Sequence, residues 1–425
     1  MREVIRDIFA EIAPWIGENK ILILRGSRQV GKSTLLRHIE EGLIKRREKF
    51  FSYSIDQELD NPLFKSPSNL KNFFLDQSDN HFFYLILDEF QYLNDSGLFL
   101  KALHDSLKGK CQIIVSGSSS LEISKSTEFL TGRKIEFRIE TFSFREFLKG
   151  NSEWKFDRKF SLSSFKEAEE FDSIYSQELK NQFAEYLNFG GYPEIALEKN
   201  HEKKIKLLNE LISTYLRKDV SGFLKISNIS AFNNLIRILT SQRGNLLNKS
   251  EISSSLNISF ETVSWYLDAL EGTFLFSFLP PYFSNLRKEI SKMPKVYTED
   301  FGIVKYVMKT PESNSYDILS GQDVETYCFR IFRKIFEMEN LFFHRTVSKS
   351  EIDFIGRKNS SFIPIEIKFT NRVQGKITLA MKNFSERYLD IPYFIFITKD
   401  TLAWNKENRI FYIPVYLLEF MDILS

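Results

Sequence analysis

The sequence predicts an α/β protein: a parallel sheet built around a phosphate-binding loop, then helices with a small winged unit, then a second α/β unit. Three observations predict it. An apolar run, Ile21–Leu24, leads into Gly26-Ser27-Arg28-Gln29-Val30-Gly31-Lys32-Ser33-Thr34. A second run, Phe82–Leu87, ends in Asp88-Glu89. Far downstream, Asp353 and the Glu366-Ile-Lys368 triplet fall on two short strand candidates joined by a turn.

Residues 26–33 fit the phosphate-loop pattern at every fixed position. Its glycines let backbone N–H groups turn inward around phosphate oxygens, where side chains would collide. In this pattern Lys32 reaches the β/γ-phosphates of ATP, and Ser33 places its hydroxyl on Mg²⁺. A helix predicted from Ser33 to Glu40 aims its positive end at the same anion. The run before Asp88 suits a strand buried on both faces of a parallel sheet. Asp88 would then hold the Mg²⁺ shell, and Glu89 would orient and deprotonate the attacking water.

A third strand candidate, Gln112–Ser116, runs into Gly117-Ser118-Ser119-Ser120. Two readings stay open there: Ser118 as a polar sensor of the γ-phosphate or water, or ordinary turn chemistry. With Gly132-Arg133, Ser143–Phe147 and Gly190-Gly191-Tyr192-Pro193-Glu194 added to these motifs, the chain resembles a family of bacterial and archaeal AAA+ ATPases carrying a carboxy-terminal domain of uncharacterised function. The resemblance spans nearly the whole chain and implies a P-loop AAA+ core with a parallel sheet and a helical lid. It also implies oligomers by the habit of the class. Arg133 is, by that resemblance, a charge-sensing arginine; a surface salt bridge is the equal alternative.

Composition narrows the classes. With 43% hydrophobic residues and 42 Phe in 425 residues, several cores can be built, and disorder is excluded. The formal charge of +2 neither predicts nor excludes nucleic acid, so local patches must decide. Cys111 and Cys328 lie in no metal spacing and read as reduced, buried thiols. The longest apolar run, 272–281, is too short to span a bilayer, and residues 1–17 read as an amphipathic helix rather than a signal peptide. A soluble, cytoplasmic protein with no membrane association is expected.

Four units are expected: an ATPase core over 1–155, a helical lid or linker over 156–227, a winged helix-turn-helix over 228–295, and an α/β unit over 296–425. Arg217 within the lid reads as a solvated helix face or as a phosphate sensor. The winged unit has predicted helices at 229–241, 250–256 and 260–270, with core spacing at Val263, Tyr266, Leu267 and Leu270. Its third helix carries Glu261, Asp268 and, just beyond, Glu271, without Lys or Arg, which opposes base readout. Protein contacts, or backbone-only DNA contact through the basic stretch 287–295 (Arg287, Lys288, Lys292, Lys295), are the favoured readings.

In the last unit, a turn centred on Asn359-Ser360 makes Asp353 and Glu366 face each other across a hairpin, and alternation places Lys368 beside Glu366. This arrangement resembles the PD-(D/E)xK phosphodiesterases. The resemblance implies a nuclease-like domain acting on DNA, with Glu325, Asp353 and Glu366 as metal ligands and Lys368 steadying the attacking water or developing charge. Acid–lysine pairs across a hairpin are also common sheet stabilisers. Two functional readings follow: an ATPase coupling nucleotide state to a nuclease-like domain, or a nucleotide-dependent switch that binds protein partners with a non-catalytic carboxy-terminal domain.

Overall fold

Five strands, β1 (Ile21–Arg25), β2 (Phe50–Ser54), β3 (Phe83–Asp88), β4 (Cys111–Gly117) and β5 (Lys134–Arg138), pair in parallel in the order β2-β3-β4-β1-β5. They belong to a computed structural model that describes residues 4–93, 95–118, 130–152, 156–216, 226, 228–283, 292–309, 315–346, 349–370, 375–388 and 390–424. Strand alternation sorts the apolar run onto two faces. Leu22 and Leu24 pack with Leu35, Leu36 and Ile39 of helix α1 (Lys32–Lys45). Ile21 and Ile23 pack with Leu70 and Phe74 of α2 (Pro67–Gln77) and with Leu100 and Leu103 of α3 (Ser96–Ser106). Both faces are covered, which is why these strands read as continuous apolar runs.

After the sheet come α4 (Phe144–Asn151), a two-residue strand β6 (Phe160–Ser161), α5 (Phe165–Phe189), α6 (Pro193–Leu197) and α7 (His201–Thr214). The expected lid is not a separate layer. Phe171, Phe183 and Tyr186 of α5 share one core with Tyr327, Phe329 and Phe420 from the last third of the chain. The short strand β15 (Met421–Asp422) pairs in parallel with β6, and Glu419 caps α4, accepting from Phe144 N (2.9 Å) and Arg145 N (3.0 Å). A carboxylate at a helix N-terminus satisfies two orphan donors and meets the dipole. The division at residue 156 therefore cuts through packed structure.

Helices α8 (Ile229–Ser241), α9 (Lys249–Leu256) and α10 (Phe260–Gly272) are followed by an antiparallel pair, β7 (Phe276–Leu279) and β8 (Lys295–Thr298). Because β8 runs from 295 to 298, the expected boundary at 295 falls inside a strand. Asn248 and Ser259 side chains cap α9 and α10, which fixes the starts of both helices.

Helix α11 (Phe301–Met308) and α12 (Gly321–Phe336) precede a six-stranded sheet. Its strands are β9 (Leu341–Arg345), β10 (Glu351–Lys358), β11 (Ser361–Lys368), β12 (Phe394–Thr398), β13 (Ala403–Asn405) and β14 (Ile410–Pro414), in the order β13-β14-β12-β11-β10-β9. Phe329 and Phe332 of α12 pack with Phe354, Ile363 and Ile365 on one face, while Met381 and Phe384 of α13 (Leu379–Arg387) pack with Ile352, Ile355 and Phe396 on the other. The β10–β11 hairpin turns at Asn359-Ser360, with Asn359 at φ +56° and Lys358 paired to Ser361. Among the described residues no helix is long and apolar enough to cross a membrane, and both cysteines are buried and free.

Candidate nucleotide site and carboxy-terminal acid group

The phosphate loop leaves the carboxyl end of β1 and enters α1 at Lys32. A Cβ on Gly26 would stand 2.1 Å from the Ile139 carbonyl oxygen, so only glycine lets the loop pass. Gln29 and Gly31 take positive φ and fold the loop back on itself. The first turn of α1 carries no acid, leaving its positive end open to an anion. Lys32 is buried, its Nζ donating to the Gly26 and Ser27 carbonyl oxygens at 3.0 and 2.9 Å. Arg28, half-buried, donates to the Tyr92 hydroxyl at 3.4 Å. Val30 is buried beneath the loop, whereas Thr34 is half-exposed on α1.

Strand order brings the second motif to the same edge. β4 lies between β1 and β3, so Asp88, at the end of β3, faces the start of α1 across one strand. The Ser33 hydroxyl donates to Asp88 Oδ2 at 2.6 Å, and the Ser116 hydroxyl on β4 holds Asp88 Oδ1. Glu89 sits at φ +52°, a left-handed conformation that costs a non-glycine residue about 1 kcal/mol and is tolerated at functional positions. Its carboxylate accepts from Gln91 Nε2 and, at 3.3 Å, from Ser118 Oγ. Ser33 and Asp88 supply a hydroxyl and a carboxylate side by side, which is a hard-cation donor set and fits Mg²⁺.

Other residues were not foreseen here. Arg6, buried, donates to the Val30 carbonyl (2.7 Å), the Glu140 carbonyl (2.8 Å) and Glu146 Oε1 (2.9 Å), staking the loop to the capping box of α4. Among the described residues of the expected amphipathic helix over 1–17, the helical part is a short helix, Phe9–Ile12, with a following 3₁₀ turn, and Arg6 faces inward because Glu146 and two carbonyls wait there. The Gly190–Glu194 motif reaches the loop as well: the Tyr192 hydroxyl bonds the Ser27 side chain, and Pro193 Cγ lies 3.9 Å from a Cβ built on Gly31.

Arg133 is not brought to this group. It precedes β5 at the opposite end of the sheet, its carbonyl accepting from Ile21 N, and its guanidinium grips Asp105 at 2.7 and 3.1 Å on the surface. The salt-bridge alternative describes its position. Ser119, Ser120 and Arg217 lie outside the described residues. A cavity of about 960 Å³ opens among α7, α8 and α11 and is lined by no residue of the phosphate loop.

The second group is on the carboxy-terminal sheet. The hairpin register that pairs Phe354 with Ile365 sets Asp353 opposite Glu366. Asp353 Oδ2 accepts from Ile367 N at 2.7 Å, and Lys368 Nζ donates to Glu366 Oε1 at 2.7 Å. Glu366 Oε2 is buried without a partner. Burial, and then the Glu325 charge, push the Asp353 carboxyl up to about 7 despite Lys295; burial also raises Glu366.

Lys295 corrects an expectation. Assigned to a basic DNA-backbone stretch, it is 2% exposed and points into the acid group, bonding Glu325 Oε1 at 2.8 Å and Glu351 Oε1 at 2.6 Å, with Asp353 Oδ1 at 3.9 Å. The Tyr297 hydroxyl also donates to Glu325 Oε1 at 2.8 Å. Of the remaining stretch, Lys292 is exposed, and Arg287 and Lys288 lie outside the described residues. Glu325 is thus already engaged by an ammonium and a phenol, and the group does not present the open carboxylate set that a divalent ion needs.

Residues 18–148 match the family model described as an AAA domain, residues 180–314 a domain of unknown function (DUF8612), and residues 320–418 another (DUF4143). An uncharacterized protein of Methanocaldococcus jannaschii is 28% identical over 420 residues, covering 94% of this chain and 86% of that one. An uncharacterized protein of Haemophilus influenzae is 23% identical over 366 residues, covering 82% of each. Among solved structures, Aeropyrum pernix ORC1 in complex with DNA aligns over 73% of this chain and 94% of that one, at 11% identity and a TM-score of 0.30. AMPPCP-bound DnaA from Aquifex aeolicus aligns over 62% and 86%, at 18% identity and a TM-score of 0.27. By the family models the chain carries an AAA domain at residues 18–148, followed by two domains of unknown function.

Proposed function

We propose that this protein is a magnesium-dependent ATPase that works as a nucleotide-dependent switch. The observation that carries this reading is the Ser33 hydroxyl 2.6 Å from Asp88, with Lys32 and the loop amides on one side and Glu89 on the other. Ser33 and Asp88 would hold Mg²⁺, which when bound supplies charge neutralisation between the β- and γ-phosphates. The loop amides and the α1 terminus bind the phosphates. Lys32 Nζ, engaged by two loop carbonyls, exchanges them for β/γ-phosphate oxygens. Glu89 accepts the proton of the attacking water, and Gln91 and Ser118 hold its carboxylate in place.

The nuclease alternative is favoured by one observation, the meeting of Asp353, Glu366 and Lys368 on one hairpin. DNA would be its substrate. The switch reading is favoured by Lys295 in the same acid group and by the shared core that ties the carboxy-terminal sheet to α5. Mg²⁺-dependent ATP turnover by purified protein, tested beside Mn²⁺-dependent DNA cleavage, separates the two. No turnover with any nucleotide would overturn the ATPase assignment, and cleavage abolished by Asp353→Ala would replace the switch with the nuclease.

A further inference from the structure

We infer that Lys295 is a built-in cation occupying the place of a divalent metal in the carboxy-terminal acid group, so that this group holds structure rather than catalytic metal. Four carboxylates converge from three elements: Glu325 on α12, Glu351 and Asp353 on β10, and Glu366 on β11. A cluster of that charge in an apolar surround must be neutralised by protons, by a metal or by ammonium and guanidinium groups. Here the last route is taken. Lys295 Nζ lies 2.8 Å from Glu325, 2.6 Å from Glu351 and 3.9 Å from Asp353; Lys368 takes Glu366 at 2.7 Å; Arg345 takes the second Glu351 oxygen at 3.2 Å.

Three cations against four carboxylates leave one formal negative charge among the described residues, too little to draw a dehydrated divalent ion. The donor atoms are used as well. Glu325 Oε1 accepts from both Lys295 and the Tyr297 hydroxyl, and Asp353 Oδ2 from a backbone amide, while Glu366 Oε2 is buried without a hydrogen-bond partner. A divalent ion, which needs one or two carboxylates with water completing its shell, would have to take them from Lys295, Lys368 and Tyr297.

The lysine also comes from the right place to be a fixture. It opens β8, whose backbone pairs with β7 at Leu279 and bridges to Leu246, and its ammonium lies over the Phe343 ring, 5.6 Å from the centroid. An ammonium tethered this way is a permanent ligand at effectively very high local concentration, which free Mg²⁺ must displace.

Removing that one charge while keeping the side-chain length tests the inference. Mn²⁺ binding is measured by electron paramagnetic resonance on full-length protein carrying Asp88→Asn, which silences the nucleotide site. The expected result is no Mn²⁺ binding that depends on Asp353. Adding Lys295→Met should then create a site that depends on Asp353, with affinity raised at least roughly tenfold above the residual Mn²⁺ binding of the Asp88→Asn protein, the scale on which groups around metal ligands tune affinity. A further Asp353→Asn should abolish it. Far-UV circular dichroism and thermal melting establish folding, and Lys295→Gln serves if the methionine variant does not fold. Asp353-dependent Mn²⁺ binding with Lys295 intact would overturn the inference, as would a folded Lys295 variant that gains no site. Because the ATP site is silenced throughout, failure here is distinguishable from failure of the ATPase assignment.

Discussion

Replacing Arg6 with alanine should loosen the phosphate loop, whose Val30 carbonyl it binds directly. Arg6 and Glu146 form an ion pair with side chains only 6% and 4% exposed. Removing one partner of such a pair costs about 3–5 kcal/mol, because the other charge is left buried. Glu146 would keep two backbone donors, Asp7 N at 2.8 Å and Ser143 N at 3.0 Å, which places the cost near the lower end. The Val30 and Glu140 carbonyls also lose their guanidinium donor. The expected loss is about 3 kcal/mol, or roughly hundredfold faster exchange of the amides of residues 22–24 in native-state hydrogen exchange. Exchange resolves this unit where a global melt of a multi-unit chain would not. The double variant Arg6→Met/Glu146→Gln leaves no unpaired charge and should recover much of the loss. A loss below about 1 kcal/mol for Arg6→Ala, or a double variant as damaged as the sum of the singles, would refute the buried-pair argument.

Lys32→Ala should abolish ATP binding by equilibrium dialysis, and retained binding would remove the phosphate-loop assignment. Glu89→Gln should still bind ATP but lose turnover by about a hundredfold or more, the usual contribution of a positioned base; unchanged turnover would strip Glu89 of that role. Glu419→Ala, which uncaps α4 and frees Tyr327, should lower the melting transition by a loss of about 2 kcal/mol. An acid titration tests the buried network of Arg138, Arg333, Glu140 and Glu299. Burial pushes Glu299 up, but the Arg138 and Arg333 guanidiniums outweigh it and hold the carboxyl far below its ordinary value; Glu140 is lowered as well. A lowered folded value means stability fully present above the unfolded value and lost as pH falls through it, so unfolding free energy should drop from about pH 5 downward. Arg333→Met should destabilise at neutral pH and flatten that acid limb; an unchanged limb would show that the pair is not what titrates.

What the sequence made legible was local. The two apolar runs declared β1 and β3, because a strand covered on both faces leaves an unbroken apolar signature. The turn at Asn359-Ser360 could be located because a tight hairpin needs a residue that tolerates positive φ. Arg6 and Lys295 were not legible, and for one reason. Both are cations in charged stretches, where solvent exposure is the ordinary outcome, and both are buried by partners more than twenty residues away: Glu146 for Arg6, Glu325 and Glu351 for Lys295. Arg133 stayed between its two readings for a different reason. A motif position named it, but the strand direction that decides which end of the sheet it occupies is a property of topology.

The same long-range contacts show how the nucleotide site meets the rest of the chain. The loop that holds Lys32 through the Gly26 and Ser27 carbonyls lies against Tyr192 at Ser27 and beside Pro193 at Gly31. The turn holding these two has no slack. Gly190 is at φ +81°, a Cβ there would stand 1.9 Å from Asp300 Oδ1, and Asp300 Oδ2 accepts from Gly191 N at 2.9 Å. Asp300 lies directly after β8, the strand that carries Lys295, and Glu299 beside it pairs with Arg333 on α12. Arg330, one turn earlier on α12, reaches back to Thr141 and the Tyr186 hydroxyl at 2.9 and 3.0 Å. Cores packed this closely move between discrete arrangements rather than deform. The turn, β8 and α12 are thus joined by direct contacts, and β8 and α12 frame the carboxy-terminal acid group.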